Sequence, residues 1–567
     1  MAYFLKKTKR KKYTYLQIYE SFYNSEKKET AHKCFKSLGN IEKLKADGID
    51  DPIEYYKNEV KKMNEERKQE ELGGTAKISD SPDKYIGHFM AKSLLYKFNL
   101  ERDFGYLQSS RKFDFSTLDL LSNMIYARIL DPCSKMKSYD EVIPKLFEPT
   151  SFSRNQMYEG IQFFGSEYKK IVEIFNDRLA KHYGNDTSVT YFDATNFYFE
   201  IDKEDDFRRK GPSKENRKCP IVGMGLLLNK SHVPVGVEFY PGNKSEKPII
   251  RNVLQDLKNR NNITGKTIQI ADKGLNCAEN IYNARKNKDG YIFSKSARQL
   301  KDTTRTWVLL DNDYKDVFDY KGNLKYRYKS SVDLHSYSFK NEDGSTTKFR
   351  SREKWIVTFN PKLAIKQKRE IGKIIDKASN LCLSKAKKSE FGECSKYVDF
   401  KSTNEGVVTD DSIAVTINQD KIEKDLQLCG YNLLITSEIE ANDEEVYNAY
   451  HNLWRIEETF RILKSQLDSR PVYMQTEEGI KGHFLICYLS IFLLRILEIH
   501  IFKDEIPHNK IIELMRNLKV INIEKNKYIN LTPHNSIIEK IMSKFKLPLD
   551  NYFLKDSDIK KMLNFRI

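Results

Sequence analysis

Two aspartates interrupt or end apolar runs in which a carboxylate would need a partner. Asp193 lies within the run TYFDATNFYF, and Asp272 ends the run IQIAD. A carboxylate in or at the end of a buried strand is costly unless it is paired or binds a metal ion. Taken singly, each aspartate also fits a capping or turn-forming role, so neither predicts a site by itself.

A glutamate among apolar residues, where a carboxylate would also need a partner, lies in the helical sequence AYHNLWRIEETFRILKSQL. The sequence predicts one long helix over residues 443–466, and in such a helix the positions in line with Glu457 are mostly apolar. This pattern predicts that Glu457 lies on the buried face and that Glu458, about 100° around the helix, is in solvent. The alternative is an ion pair of Glu457 with Arg461 or Lys464, worth about 0.3–0.5 kcal/mol.

The elements around these residues predict how they could meet. Strands are predicted first and helices then alternate with them, in the order strand 189–200, strand 221–228, strand 234–240, helix 248–260, strand 266–272, helix 276–289 and strand 291–296. Three strands of a meander followed by helical crossovers form an α/β unit. Such a unit can bring Asp193, Asp272 and Glu457 together at one edge of its sheet.

Three carboxylates in one place would suit Mg²⁺ or Mn²⁺, which prefer hard oxygen ligands. Two such ions about 3.5–4 Å apart can activate a nucleophile and stabilise the leaving oxygen of a phosphoryl transfer. The 97 Lys and Arg residues exceed the 80 Asp and Glu residues, which makes the formal charge +17. That surplus favours a polyanionic partner, most often nucleic acid, although a basic protein without such a partner could have the same composition.

The patterning predicts six segments. They are a basic β-hairpin arm and linker (1–75), a helical DNA-binding module (76–186), the first part of the core (187–299), a β-rich insertion (300–440), the second part of the core (441–504) and a C-terminal helical region (505–567). Within the helical module we predict helices in 117–130 and 153–183. Within the insertion we predict a strand at 306–310 and a basic helix near 361–379. A second long helix is predicted from Glu477 to about Phe502. Its longest apolar run, 484–494, is too short to span a bilayer and predicts that the helix is buried. The eight cysteines form no CxxC pair and predict reduced thiols.

The segment Tyr450–Lys464 resembles the Tyr-x2-Arg-x3-Glu-x6-Lys signature of bacterial insertion-sequence DDE transposases, in the superfamily named after insertion sequence four. Tyr450, Glu457 and Lys464 match it, and Leu453 stands at the arginine position. Five other stretches are similar to the same superfamily: YFDATNFYFE, PGNKSE, ADKGLNCAENI, ARILDPCSK and RPVYMQTEEGIKGH. The resemblance extends from the N-terminal hairpin to about residue 500.

The resemblance implies an α/β fold with an RNase H-like mixed-sheet core and a β-rich insertion. It implies that Asp193, Asp272 and Glu457 are catalytic residues and ligands of two Mg²⁺ ions, for which Mn²⁺ can substitute. Tyr450 and Lys464 would contact the DNA backbone near the cleaved end. Arg455 or Arg461 would replace the contact of the missing signature arginine.

The resemblance also implies a transposase that binds the terminal inverted repeats of its own element and inserts the element into target DNA. We would expect a homodimer in the synaptic complex, in the bacterial cytoplasm with the nucleoid and without a membrane partner. Relatives cut the second strand through a hairpin, which implies the same route here.

Other residues are candidates for contact with nucleic acid. Lys214 lies in a basic loop after the first core strand, and Lys295 and Arg298 follow the last strand before the insertion. The basic residues of the loop that contains Lys214 fit a solvated loop without a DNA contact nearly as well. Trp307 could stack on an unpaired base, although a tryptophan is more often part of a core.

Two other functions fit the same residues. An RNase H-like nuclease or resolvase without strand transfer needs the same three carboxylates, so the sequence does not separate it from a transposase. An inactivated or domesticated DNA-binding protein is the second alternative, which Leu453 keeps open.

Overall fold

The computed structural model describes residues 3–10, 13–24, 29–72, 83–214, 218–260, 265–297, 300–383, 388–402, 413–524 and 526–567. The chain divides into two compact units. The smaller one, the N-terminal unit, comprises Met1–Asp83 with Val520–Ile529 and Tyr552–Asp556. The larger one, the large unit, comprises Lys84–Lys519, Asn530–Asn551 and Ser557–Ile567.

The N-terminal unit contains an antiparallel sheet of three strands, Tyr3–Arg10, Tyr13–Asn24 and Glu29–Asn40. The predicted hairpin is therefore confirmed as the second and third strands, in which Leu16 and Ile18 are buried. Much of the basic N-terminal stretch forms the first strand, which pairs with the second from Tyr3 to Arg10. Helices Ile41–Ala46 and Pro52–Leu72 follow, so the charged segment 59–72 is helical.

The large unit is built on a nine-stranded mixed sheet. Its strands are β1 (Val189–Tyr198), β2 (Ile221–Leu228), β3 (Pro234–Pro241), β4 (Ile268–Ala271), β5 (Gly290–Lys295), β6 (Lys315–Phe318), β7 (Leu324–Lys340), β8 (Thr346–Phe359) and β9 (Tyr431–Thr436). They lie in the order β6-β7-β8-β9-β5-β4-β1-β2-β3. The predicted meander is confirmed by the antiparallel pairs β1–β2 and β2–β3, and the crossovers by the parallel pairs β1–β4 and β4–β5.

The strands of the predicted insertion join this same sheet. Strand β8 pairs with β9, and β9 pairs with β5, so β7 and β8 extend the core sheet at one side. A further antiparallel pair, Val398–Ser402 with Ile413–Ile417, lies outside it. The predicted strand at 306–310 was wrong, because these residues belong mostly to helix Asp302–Leu309, whose Val308 is buried. Five residues are too few to distinguish a strand period from one buried helix turn.

Helices cover the sheet and fill the segment before it. Those before the sheet are Phe89–Phe98, Glu101–Leu107, Thr117–Leu130, Lys135–Lys137, Arg154–Ser166 and Tyr168–Tyr183. Those within and after it are α1 (Glu246–Arg260), α2 (Ala278–Lys286), Asp302–Leu309, Pro361–Leu383, Gln419–Gln427, α3 (Asp443–His451), α4 (Trp454–Arg461) and α5 (Glu477–Ile496). The helices predicted in 117–130 and 153–183 are confirmed.

One helical stretch in the described part of the chain, Glu477–Ile501, is long and apolar enough to cross a membrane, and nearly all of it is buried inside the protein. The helix predicted from Glu477 to about Phe502 is therefore confirmed, and so is its burial. The apolar stretch is longer than the run 484–494, so only the prediction that it is too short to span a bilayer was wrong. The helix lies backbone to backbone against Arg154–Ser166, since a Cβ on Gly482 would fall 1.9 Å from the carbonyl oxygen of Ile161.

The predicted all-helical tail was wrong in part. Helices His508–Asn517, Ser536–Phe545 and Asp556–Leu563 are present, but three short strands accompany them, Lys519–Glu524, Lys527–Asn530 and Phe553–Lys555. The longest of these has six residues, too few for an alternating pattern to stand out from helical spacing.

Candidate active site

The two aspartates lie at the same level of two neighbouring parallel strands. The register of β1 and β4 pairs Val189 with Ile268 and Tyr191 with Ile270, an offset of 79 residues. Asp193 and Asp272 are separated by the same 79 residues (272 − 193). Since register partners in parallel strands lie side by side, the offset places the two aspartates next to each other at the carboxyl end of β4.

Asp193 lies in the middle of β1, between the buried residues Phe192 and Ala194. Its Oδ1 accepts a hydrogen bond from the backbone N–H of Ala194 at 2.8 Å. Burial raises the pKa of Asp193 to about 6, and the nearby carboxylates of Glu246 and Asp272 also raise it, against the lowering effect of Lys214. This carboxylate therefore carries a negative charge that its surroundings only partly compensate.

Asp272 follows the last residue of β4 and accepts two hydrogen bonds on the same oxygen. Ser294 Oγ donates to Oδ1 at 2.8 Å, and the Tyr450 hydroxyl donates to it at 3.0 Å. Ser294 lies on β5, which is parallel to β4. Because Ile270 pairs with Ile292 in that register, Ser294 lies beside Asp272. Three parallel strands thus contribute Asp193, Asp272 and Ser294 side by side.

Tyr450, from a helix late in the chain, contacts the site through its hydrogen bond to Asp272. It lies on α3, which contacts β4 and β5. Burial raises the pKa of the Tyr450 hydroxyl, and the adjacent Asp272 and Glu457 carboxylates raise it further. The hydroxyl therefore stays protonated and donates to the carboxylate. The side chain predicted to contact DNA is here hydrogen bonded to the predicted metal ligand.

The prediction about the two adjacent glutamates was wrong. Glu457 is exposed, whereas the side chain of Glu458 is 11% exposed and pairs with the fully buried Arg495 at 2.8 Å. The reason is that residues 443–466 do not form one helix. The helix breaks at Asn452 and Leu453 and ends in a π-turn over Ile462–Gln466. Side chains after the break therefore do not point in the directions that one continuous helix would give them.

Lys214 is the predicted basic residue that lies nearest to the aspartates. Its Nζ is 3.8 Å from Asp193 Oδ1 and 3.5 Å from Glu246 Oε1, and it donates to the Ala194 carbonyl. Glu246 begins α1 and was not among the predicted site residues. The PGNKSE motif, which ends in Glu246, was the signal that could have identified it.

A cleft of about 530 Å³ opens beside these residues. Its lining includes Asn196, Lys214, Lys244, Glu246, Lys247 and Gly274. Gly274 is two residues beyond Asp272, and Lys214 contacts Asp193, so the cleft adjoins both aspartates. Three lysines in the lining give it a basic character suited to a phosphate backbone.

The remaining predicted DNA contacts lie in varied surroundings. Lys464 is half-buried, with its Nζ 5.3 Å from the ring centre of Phe197 on β1. Arg461 is 73% exposed at its side chain. Arg455 instead stacks on Trp454 and forms ion pairs with Glu458 and Asp504.

Three more predicted contacts lie elsewhere. Lys295 is half-buried, with its Nζ 4.5 Å from the ring centre of Trp355, and burial lowers its pKa. Trp307 is half-buried under the ammonium group of Lys329, which lies 5.3 Å from its ring centre. Arg298 lies outside the described residues.

The carboxylates are the kind of donors that a hard divalent cation requires. Asp193 and Asp272 supply oxygen ligands at one level, and the raised pKa of Asp193 indicates a site that a cation would stabilise. In the described part of the chain, no three Asp, Glu, His or Cys side chains are close enough together to hold a metal ion. The two aspartates can supply two oxygen ligands to a divalent ion, and Glu457 would have to approach them to become a third ligand.

Comparison with known proteins identifies the family. Residues 184–493, more than half of the chain, match the family model described as Transposase DDE domain. The chain therefore belongs to the DDE transposase family, whose members are enzymes that act on DNA and generally use divalent metals. The matched residues include β1, β4, α3 and α4, which carry the site.

A solved structure is also similar to this chain. It is the cryo-EM structure of a piggyBac transposase synaptic complex with hairpin DNA, with 10% sequence identity and a TM-score of 0.34. The match covers 84% of this chain and 83% of that chain. The chain has no significant match among curated protein sequences.

Proposed function

We propose that this chain is a cut-and-paste transposase of the insertion-sequence-four superfamily. It would bind the terminal inverted repeats of its own element, cut the DNA there and join the freed ends to target DNA. The observation that carries the proposal is the alignment of Asp193 and Asp272 at one level of β1 and β4, with Tyr450 hydrogen bonded to Asp272. The large mixed sheet supports an RNase H-like core.

The three carboxylates would hold two Mg²⁺ ions, or Mn²⁺ ions in their place. When bound, the ions would supply activation of the attacking water or 3′-hydroxyl and stabilisation of the leaving oxygen. Asp193 and Asp272 would be held in place by their strands, whereas Glu457, exposed on α4, would complete the set when α4 approaches the bound DNA. Tyr450 and Ser294 orient Asp272 by donating to the same oxygen.

Other residues of the chain would hold the DNA. Lys214, Lys244 and Lys247 line the cleft beside the aspartates and would contact backbone phosphates. Arg461, exposed at the end of α4, and Lys464, in the turn that follows, would contact the DNA strand. Arg455 and Trp307 are half-buried against other side chains, so they are weaker candidates for such contacts.

The wider assignments follow from the same proposal. The protein would act as a homodimer in a complex that joins both ends of the element, in the bacterial cytoplasm with the nucleoid. The second strand would be cut through a hairpin, as the family resemblance implies.

The test is cleavage of labelled DNA that carries the element's own ends, in Mg²⁺ or Mn²⁺. Wild type is compared with Asp193→Asn, Asp272→Asn and Glu457→Gln, and with Asp206→Asn as a control whose side chain is fully exposed. We expect the three variants to bind DNA and to lose at least about 100-fold in cleavage rate, since even outer-shell changes cost about 10–100-fold. Asp206→Asn should cut as wild type does.

Other outcomes would indicate other functions. Cleavage without joining to target DNA would identify a nuclease. Binding without cleavage by wild type would identify a DNA-binding remnant, an alternative that the buried Leu453 at the signature arginine position keeps in view. Cleavage by all three variants at the wild-type rate would contradict the proposed carboxylate set.

A further inference from the structure

A second cavity, of about 290 Å³, lies in the large unit and is formed by two motifs to which the proposed function gives no role. One is ARILDPCSK, which contributes Arg128, Ser134 and Lys135, and the other is RPVYMQTEEGIKGH, which contributes Tyr473 and His483. None of the described residues that line this cavity is acidic. We call it the Lys135 cavity.

Lys135 is the unusual residue of this cavity. It is 6% exposed, and among the described residues its Nζ has no hydrogen-bond partner. Burial lowers the pKa of the Lys135 ammonium to about 7, and the neighbouring Arg128 lowers it further. An ammonium group buried without a counter-charge is costly, so a lysine is a poor choice for packing alone.

Arg128 adds a second buried cation. It is 2% exposed, and its Nη atoms donate to the carbonyls of Leu467, Asp468 and Cys133 at 2.9–3.3 Å. Its Nε has no partner among the described residues. The neighbouring His483 does not add charge, because burial lowers its pKa well below the ordinary value.

The position of the cavity relates it to the predicted DNA path. Arg128 binds the carbonyls of Leu467 and Asp468, which follow Lys464 by three and four residues. Tyr473, on the cavity wall, is 66% exposed, so the wall reaches the protein surface. Ser134 adds a hydroxyl, whose Oγ accepts from the Lys137 N–H at 3.2 Å and still carries a proton to donate.

We propose that the Lys135 cavity is a second anion site, which takes one phosphate group between Lys135 and Arg128. The buried Arg128 guanidinium, the buried Lys135 amino group, a hydroxyl donor and a wall without carboxylates suit the oxygens of a phosphate group, whose negative charge would favour the protonated form of Lys135. The source of the group is a backbone phosphate of the bound DNA strand or free inorganic phosphate. Only the DNA source rests on the proposed function.

The phosphate arm of the test uses the full chain in EDTA at pH 7. Inorganic phosphate is titrated against chloride of equal ionic strength while Tm is measured. We expect a saturable rise in Tm for wild type, because a ligand that binds only the folded chain stabilises it, and no rise for Lys135→Met. The matched control is Lys137→Met, on the same short helix, whose side chain is 52% exposed and which should respond as wild type does.

Equilibrium dialysis of wild type with radiolabelled phosphate makes the result independent of how any variant folds. One bound phosphate per chain that Lys137→Met keeps and Lys135→Met lacks supports the proposal. No binding above the chloride-matched background overturns it, and so does a Lys135→Met variant that responds to phosphate as wild type does.

The DNA arm measures the affinity for a labelled duplex in EDTA at several salt concentrations. If the group is a backbone phosphate, Lys135→Met reduces the slope of log affinity against log salt by about 0.9, the value for one lost contact, and Lys135→Arg retains it. An unchanged slope with a positive phosphate arm assigns the site to free phosphate. If no DNA binds at all, the proposed function fails, while the phosphate arm still decides this inference.

Discussion

The hydroxyl of Tyr450 donates to Oδ1 of Asp272 at 3.0 Å, which connects the helix after β9 with the carboxyl end of β4. The same oxygen accepts from Ser294 on the neighbouring strand. Two donors on one carboxylate oxygen hold that side chain in one orientation and leave the second oxygen for another ligand. The resemblance to insertion-sequence transposases implies that this tyrosine contacts DNA, so the two proposed roles can be compared by experiment.

Replacement of Tyr450 by phenylalanine removes only the hydroxyl. If its main role is to orient Asp272, Tyr450→Phe lowers cleavage by about 10–100-fold at fixed Mg²⁺, as outer-shell changes do, and higher Mg²⁺ restores part of the loss. DNA affinity would stay within about twofold of wild type. The measurement is cleavage rate against Mg²⁺ concentration, with DNA affinity measured in EDTA. A loss in affinity alone would favour the contact with DNA instead.

The neighbours Glu457 and Glu458 should differ in what they affect. Glu458→Gln breaks a pair with the fully buried Arg495, and we expect it to cost about 3 kcal/mol in the free energy of unfolding, the lower end for a broken buried pair because Glu498 still pairs with Arg495. Glu457→Gln, at an exposed position, should change it by less than about 0.5 kcal/mol.

Denaturant unfolding of both variants, in parallel with cleavage assays, tests this contrast. We expect Glu457→Gln to be stable and inactive. A Glu457 variant that loses stability, or a Glu458 variant that keeps full stability, would contradict the roles inferred from their contacts.

The raised pKa of Asp193 predicts a pH dependence of stability without metal. Burial lifts the pKa from 3.8 to about 6, so the folded chain binds more protons than the unfolded chain between these values. The contribution of this group to the free energy of unfolding therefore falls as pH rises through that window, and it stays low above it. Asp193→Asn removes this contribution.

We expect the Tm of Asp193→Asn relative to that of wild type to rise as pH increases from about 4 to about 6.5 in EDTA. The control is Asp206→Asn, whose difference from wild type should not vary over that range, because the side chain is fully exposed. A difference between Asp193→Asn and wild type that is constant with pH would show that the pKa is not raised.

Leu453, at the signature arginine position, is a core residue in this chain. It is 7% exposed, at the break between α3 and α4. Leu453→Ala should cost about 2–5 kcal/mol in the free energy of unfolding, as buried leucines do. Leu453→Arg should be destabilising too and should not raise DNA affinity.

Thermal unfolding and DNA binding of the two Leu453 variants would check this. Stable folding of Leu453→Arg with tighter binding would show that the position faces DNA as the signature implies.

Much of the site could be predicted because it depends on local patterns. The apolar runs around Asp193 and Asp272 predicted strands β1 and β4, and their alternation with helices predicted parallel pairing. Once strands are parallel and adjacent, their register decides which residues lie side by side. Glu246 and Ser294 were not predicted, because their roles depend on contacts with residues that are distant in sequence.

What the sequence determined by itself is the set of elements and the family. The order of most strands and helices along the chain, the long buried helix, the acidic positions and the basic surplus are all consequences of residue types and their spacing, whereas the tertiary structure decided that the insertion strands join the core sheet. Only the tertiary structure decided which of two adjacent glutamates is exposed. Glu458 is paired with Arg495, 37 residues away, and the helix breaks at Asn452 and Leu453, where packing overrides the helical period. Contacts between distant residues are not encoded in a local pattern, so the phase of that helix could be learned only from the folded chain.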